Sequence, residues 1–270
     1  MINVVFNPIG NDLVFWWDLI AVVISIVILL ALVQINAFLQ KKGVVSQIIT
    51  RKLVHILVGP VFVVTWMLFS GEIISHYLAV IVPLLFVLQF VAIGTGMMKN
   101  ESFVDSMSRS GDPQELLGGT LYYAIVMVLM TFFWFYVPST GIENANPTAL
   151  LIIGCVSGGD GLADIIGRKF GGEKKFGIKG SEKTIVGSIG MLVGSILVSS
   201  ILVLIFSIEA PHINIMTLIL PIIVVSIVAT LVEALSPKGT DNFTVFLAVV
   251  ILVLIFELLF PSFWPYPFSF

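Results

Sequence analysis

Runs of about twenty apolar residues recur along the whole 270-residue chain, and no other feature restricts its fold as much. The hydrocarbon core of a bilayer is roughly 30 Å thick, which an α-helix crosses in about 20 residues. Inside that core every backbone N–H and C=O must be paired within the protein, so such runs fold as transmembrane helices. They lie near 14–38, 53–70, 77–97, 118–137, 148–167, 184–207, 215–236 and 243–260. This pattern predicts an all-α, polytopic integral membrane protein of about eight helices, forming a single domain over residues 1–270. The fifth run is the weakest, because Gly158, Gly159, Asp160 and Asp164 interrupt its end. Only 11% of the residues are charged, against about 25% in soluble domains. That excludes a soluble enzyme, a disordered chain and a nucleic-acid-binding domain. No Lys or Arg precedes the first run and no small-residue cleavage site follows it, so it is expected to be a permanent helix. The single cysteine, Cys155, lies in an apolar run and reads as a packed, inert thiol.

The few basic residues are unevenly placed. Lys41, Lys42, Arg51 and Lys52 lie between the first two spans, and Lys99 and Arg109 between the third and fourth. Arg168, Lys169, Lys174, Lys175, Lys179 and Lys183 lie between the fifth and sixth, and Lys238 between the last two. These are all 13 Lys and Arg residues, and an eight-span chain puts every one on the same side of the membrane. The excess of positive charge in cytoplasmic loops makes that side cytoplasmic, with both termini on the other. The opposite loops carry Glu72, His76, Glu143, Glu209 and His212, which read as solvated loop residues. Asp12, Asp18 and the Pro- and aromatic-rich stretch 261–267 read as interfacial.

Five segments on the basic side carry chemistry. In Gly159-Asp160-Gly161-Leu162-Ala163-Asp164, the two acids stand four apart and share a helix face. Two carboxylates so placed repel unless a cation sits between them, and Mg²⁺ is commonly held by one or two carboxylates plus phosphate oxygens. Ionisable residues at membrane depth are functional by default. A Gly-rich basic loop follows, with Arg168, Lys174, Lys175, Lys179 and Lys183. Lysine supplies compact charge and glycine lets backbone amides approach, as nucleotide phosphates require. Ser181 or Thr184 is placed to cap the sixth span, with Gly187 in its first turn. Arg51-Lys52-Leu53-Val54-His55 opens the second span, with Arg51 and His55 on one face. Before the fourth span, Asp112 reads as an N-cap with Pro113 at the first helical position and Glu115 as in a capping box. Arg109 is left to contact a phosphate. Glu233 lies in an apolar stretch near the membrane boundary, and Thr240, Asp241 and Asn242 are placed to cap the last span.

These segments resemble the polyprenol kinase family, which includes dolichol, phytol and farnesol kinases. Arg51-Lys52-x-x-His55 is similar to the family's opening motif, and Ser108–Tyr123 to a segment characteristic of phytol kinases. Gly159–Arg168 resembles the region proposed to bind CTP, and Glu233 with Asp241-Asn242-Phe243-Thr244 the closing motif. The resemblance implies phosphoryl transfer from a nucleotide, with CTP favoured over UTP or ATP, to the hydroxyl of a long isoprenoid alcohol. One departure is Ser181-Glu182-Lys183-Thr184-Ile185-Val186-Gly187, which is closer to the Ser-x-Lys-Thr-x-x-Gly of phosphatidate cytidylyltransferases. A CTP:phosphatidate-type cytidylyltransferase is therefore the alternative. A transporter would spread its acids through the midplane in inverted repeats, and these acids cluster at one face.

The expected site is then as follows. Asp160 and Asp164 hold Mg²⁺. Glu233, Asp112 and His55 are candidates for a base. Arg51, Lys52, Arg109, Gly159, Arg168, Lys174, Lys175, Lys179, Ser181, Lys183, Thr184, Gly187, Asp241 and Asn242 bind the nucleotide. Expected partners are the nucleoside triphosphate, the alcohol within the bilayer and the lipid itself. Association as a homodimer stays open, and no nucleic acid partner is expected.

Overall fold

In the computed structural model, residues 8–108, 110–138, 145–173, 175–178 and 180–266 are described. Among them, eight helical spans are long and apolar enough to cross a membrane, each within a few residues of its predicted position. α1 (Val14–Lys41), α2 (Gln47–Thr65) and α3 (Ile73–Gly94) form the first three. A short α4 (Glu101–Met107) precedes a 3₁₀ turn, Pro113–Leu117, that leads into α5 (Gly119–Trp134). The fifth span is composite: α6 (Thr148–Ile153), a π-helical turn (Gly154–Gly159) and α7 (Asp160–Phe170). A hairpin of two short strands, β1 (Lys175–Phe176) and β2 (Lys183–Thr184), then leads to α8 (Ile185–Ser207), α9 (Ile215–Ala234) and α10 (Asp241–Leu259).

The composite span is the centre of the molecule. In its most apolar stretch 72% of residues are buried inside the protein, against 33–44% in the other seven. It faces protein where the others face lipid, which is why it tolerates Gly, Ser and Asp residues. Its glycines let neighbouring helices approach backbone to backbone. A Cβ at Gly158 would lie 2.8 Å from the Gly194 carbonyl oxygen, and one at Gly190 would lie 3.0 Å from that of Leu162. Small residues at such a crossing permit the close contact that drives helix association in lipid. Outward faces carry the opposite pattern. Leu197, Ile201 and Leu204 on α8, and Ile251, Ile255 and Leu258 on α10, are exposed at spacings of four and three, as lipid-facing stripes.

At the end of the bundle away from the lysines, three expectations change. Asp18 is fully buried, and accepts hydrogen bonds from the Ser70 N–H (2.8 Å), the Ser70 hydroxyl (2.8 Å) and the Ser75 hydroxyl (2.6 Å). It ties α1 to the turn between α2 and α3 and does not sit at the interface. His212 is partnered by the Tyr136 hydroxyl at 2.8 Å, and burial lowers its pKa. Trp264 and Tyr266 fold back into the core, at 1% and 5% exposure, with the Tyr266 hydroxyl donating to the His212 carbonyl at 3.0 Å. A tail of this composition finds burial against Phe256 more favourable than the water boundary. Cys155 is buried, as expected.

Candidate active site

Helix direction assembles the site. α2, α5 and α10 begin at the lysine-rich end, α7 and α9 finish there, and the β-hairpin closes over it. A cavity of about 760 Å³ opens among these ends. Its walls include Arg51, Lys52, His55, Asp160, Asp164, Arg168, Lys175, Ser181, Lys183, Thr184, Gly187, Glu233, Asp241 and Asn242. Segments separated by almost two hundred residues thus meet in one chamber. Among the described residues, Gly159 and Asp112 stand outside the wall. Gly159 packs on Met191 and Ser195, and the Asp112 carboxylate caps the 3₁₀ turn by accepting from the Gln114 N–H at 2.9 Å. Arg109, Lys174 and Lys179 lie outside the described residues.

Lys52 is 7% exposed, and its ammonium donates to Asp160 Oδ2 at 3.0 Å and lies 3.9 Å from Asp164 Oδ2. The cation between the two helix-face acids is therefore this lysine. Asp164 is further neutralised by Arg168, whose Nε lies 2.9 Å from Oδ1. His55 Nε2 lies 3.2 Å from Asp160 Oδ2 and 3.0 Å from the Val156 carbonyl oxygen. Both neighbours only accept, so this nitrogen carries the proton.

The backbone behind His55 explains how it is held. Pro60 has no N–H, so the Ile56 carbonyl one turn earlier loses its helical partner. The Ser157 hydroxyl, presented by the π turn, lies 2.9 Å from that oxygen and 2.8 Å from the His55 carbonyl oxygen. Tyr123 donates to the same His55 carbonyl at 3.0 Å and stacks on the imidazole with ring centres 4.2 Å apart. Tyr123 and Thr120, whose hydroxyl accepts from Arg51 Nη2 at 3.4 Å, escaped sequence reasoning as site residues. Their signal was present, since both lie on the α5 face that continues from Gly119.

The second half of the chamber is built around Lys183. Its ammonium forms an ion pair with Glu233 and lies 3.4 Å from Asp241 Oδ2. Burial alone would lower the Lys183 pKa, but the Glu233 and Asp241 carboxylates override it and hold the ammonium above the ordinary lysine value. Glu233 is 1% exposed, and the Lys183 ammonium is its charge partner. Asp160, Glu233 and Asp241 each turn one carboxylate oxygen to within 4.8 Å of the others. Three converging carboxylate oxygens, one of them on a buried residue, match the oxygen-only preference of Mg²⁺. Asp164 lies outside this trio.

The remaining expected contacts resolve as local structure. Thr184, not Ser181, caps α8: its Oγ1 accepts from the Gly187 N–H at 3.0 Å. Ser181 donates to the Ser236 carbonyl at 2.9 Å, which fastens the hairpin to the end of α9. Thr240 occupies the N-cap position of α10, but its hydroxyl donates to the Pro237 carbonyl. Asn242 donates to the Gly119 carbonyl at 3.0 Å and joins α10 to α5. Glu115 does not close a box on Asp112; it accepts from the Ser110 hydroxyl at 3.0 Å and lies 3.7 Å from Arg51.

No family model and no solved structure matches the chain. Among curated proteins, it is 37% identical over 231 residues to probable phytol kinase 2, chloroplastic, of Oryza sativa subsp. japonica, covering 84% of this chain and 72% of that protein. It is 36% identical over 225 residues to phytol kinase 1, chloroplastic, of Arabidopsis thaliana, covering 82% and 70%. It is 36% identical over 208 residues to farnesol kinase, chloroplastic, of Arabidopsis thaliana, covering 76% and 64%. With eight membrane-spanning helices and relatives of this identity along most of its length, the chain belongs to the polyprenol kinase family, alongside the phytol and farnesol kinases.

Proposed function

We propose that this chain transfers the terminal phosphoryl group of a nucleoside triphosphate, with CTP favoured, to the hydroxyl of an isoprenoid alcohol dissolved in the bilayer. The observation that carries this reading is the meeting of Asp160, Glu233 and Asp241 with Lys52 and Lys183 in one cavity at the lysine-rich end of the bundle. The relatives' names point to phytol and farnesol as acceptors, and the resemblance of Gly159–Arg168 to a CTP-binding region points to the donor. The one-sided placement of all 13 basic residues in the sequence supports a chamber that faces the cytoplasm.

Phosphoryl transfer passes through a loose transition state and needs positioning and charge stabilisation more than covalent help. In this reading Lys52, Arg51, Arg168 and Lys183 neutralise phosphate charge, and Lys175 guides the nucleotide at the exposed rim. Asp160, Glu233 and Asp241 hold Mg²⁺, which supplies additional neutralisation of the phosphates when bound. His55 presents its Nε2 proton towards Asp160 and orients that carboxylate. Glu233 and Asp241 position the Lys183 ammonium in the chamber, and with Asp160 they would hold the metal beside it.

The test uses purified protein in detergent with Mg²⁺ and γ-labelled CTP, UTP or ATP, offered farnesol, geranylgeraniol, phytol, a long polyprenol or phosphatidate. Label is expected in an alcohol monophosphate, with release of the nucleoside diphosphate. Label found only in pyrophosphate, with phosphatidate as the acceptor, overturns the kinase in favour of a cytidylyltransferase.

A further inference from the structure

The cavity is polar only at one end. Beyond His55 it continues between α2, α3 and α5 as an arm walled by Val58, Pro83, Phe86, Phe90, Ala124 and Met127. These side chains are buried, with Phe90 and Met127 each 4% exposed, so the walls of the arm face the cavity and are not part of the outward, lipid-facing stripes. Its depth follows from helix geometry. Val58 lies seven residues beyond Arg51, Pro83 seven before Phe90, and Met127 eight beyond Gly119, which is about 10–12 Å at 1.5 Å per residue. The two helices that start at the charged chamber thus give the same depth, and the α3 wall from Phe90 to Pro83 spans a matching length.

An apolar arm opening from a charged chamber fits a ligand with a polar head and a hydrocarbon tail. We propose that this arm receives the hydroxyl-proximal isoprene units of the acceptor, with the hydroxyl beside His55 and the rest of the tail in the bilayer. The assignment rests on the alcohol-kinase reading. An extended chain advances ~3.6 Å per three main-chain bonds, so an isoprene unit of four bonds spans ~5 Å and the arm takes roughly two units on that same scale. The enzyme then reads the first two units of the tail and not its total length, and Phe86, Ala124 and Met127 determine what those units look like.

The experiment is a chain-length series with the whole protein: dimethylallyl alcohol (C5), geraniol (C10), farnesol (C15) and geranylgeraniol (C20). Because one methylene in an apolar pocket is worth about tenfold or more in discrimination, kcat/KM is expected to rise at least tenfold from C5 to C10 and to change little from C15 to C20. Ala124→Phe, which fills the arm, is expected to raise the farnesol KM roughly tenfold on the same scale and to leave the nucleotide KM unchanged. A diazirine-bearing farnesol photolysed on the unmodified protein keeps the test independent of how a variant folds. Adducts are expected on peptides carrying Phe86, Phe90 or Met127. If no alcohol in the series is phosphorylated, the kinase reading fails. If alcohols are phosphorylated but kcat/KM is flat from C5 to C10, or adducts fall only on the outward faces of α8 and α10, the arm assignment fails alone.

Discussion

Glu233 sits near the end of α9 with 1% of its surface exposed, and the Lys183 ammonium is its ion-pair partner there. Removing one partner of a buried ion pair leaves an uncompensated charge and costs about 3–5 kcal/mol. Lys183→Met is therefore expected to lower the thermal midpoint of the purified protein, and adding Glu233→Gln to restore much of the loss. A double variant no more stable than the single one would show that the pair is not coupled. The pH dependence has a definite sign. The ammonium pKa is raised in the folded state by Glu233 and Asp241, so its contribution is complete below the unfolded lysine value of about 10.4. It is lost progressively as pH rises from there through the higher folded value, so the ammonium gives no loss of stability between neutral pH and about 10.4 on that scale. At this scale the sequence was informative about identity and less so about partnership. A Glu in an apolar stretch and a Lys in a basic loop are both visible in the string. Their separation of 50 residues hides the fact that they meet, and it hides equally that Lys52 stands between Asp160 and Asp164.

The fifth span carries the largest structural surprise at the scale of elements. The span near 148–167 reads as the weakest transmembrane helix because Gly158, Gly159, Asp160 and Asp164 interrupt its end, and its middle, Gly154–Gly159, forms a π turn at the centre of the bundle. Such single-turn insertions frequently mark functional sites. Here the turn presents Ser157 to the carbonyl left unpaired by Pro60 and offers the Val156 carbonyl to His55. The weakness of the apolar signal and the importance of the element have one cause, since a helix surrounded by protein needs no continuous hydrocarbon face. The seven other spans were legible because lipid imposes length and composition on them directly. The hairpin before α8 was not legible, because strands of two residues have no periodicity to read. Asp18 belongs to this scale as well, as a latch between α1 and the α2–α3 turn. Asp18→Ala leaves the buried Ser70 N–H and one of the two serine hydroxyls without an acceptor, since the hydroxyls can still pair with each other, at a cost of about 2–3 kcal/mol. It is expected to lower the thermal midpoint while leaving the KM for nucleotide unchanged, because the latch lies at the far end of the bundle. A large change in that KM with an unaltered midpoint would contradict a purely structural role.

For the molecule as a whole, scarce charge is what organises the fold and the site together. In a chain with 11% charged residues, the sequence sets every Lys and Arg in the loops of one side of eight spans, and among the described residues that same end collects the carboxylates that line the chamber. The apolar runs gave the count of spans, and the one-sidedness of the basic residues gave their orientation and agreed with that count. What it could not give was which carboxylates share a centre, because that depends on how α7, α9 and α10 are rotated against one another. The structure groups Asp160 with Glu233 and Asp241, and leaves Asp164 to Lys52 and Arg168. The most direct test of the account is single-turnover transfer from γ-labelled CTP to farnesol by Asp160→Asn and Glu233→Gln proteins that elute and melt as the unaltered protein does. Loss of preorganised charge at a transferring group is worth about 10²–10³ in rate, so both variants are expected to transfer label at least a hundredfold more slowly on that scale. Transfer at a near-normal rate by either folded variant would contradict the assignment of this chamber as the place where the phosphoryl group moves.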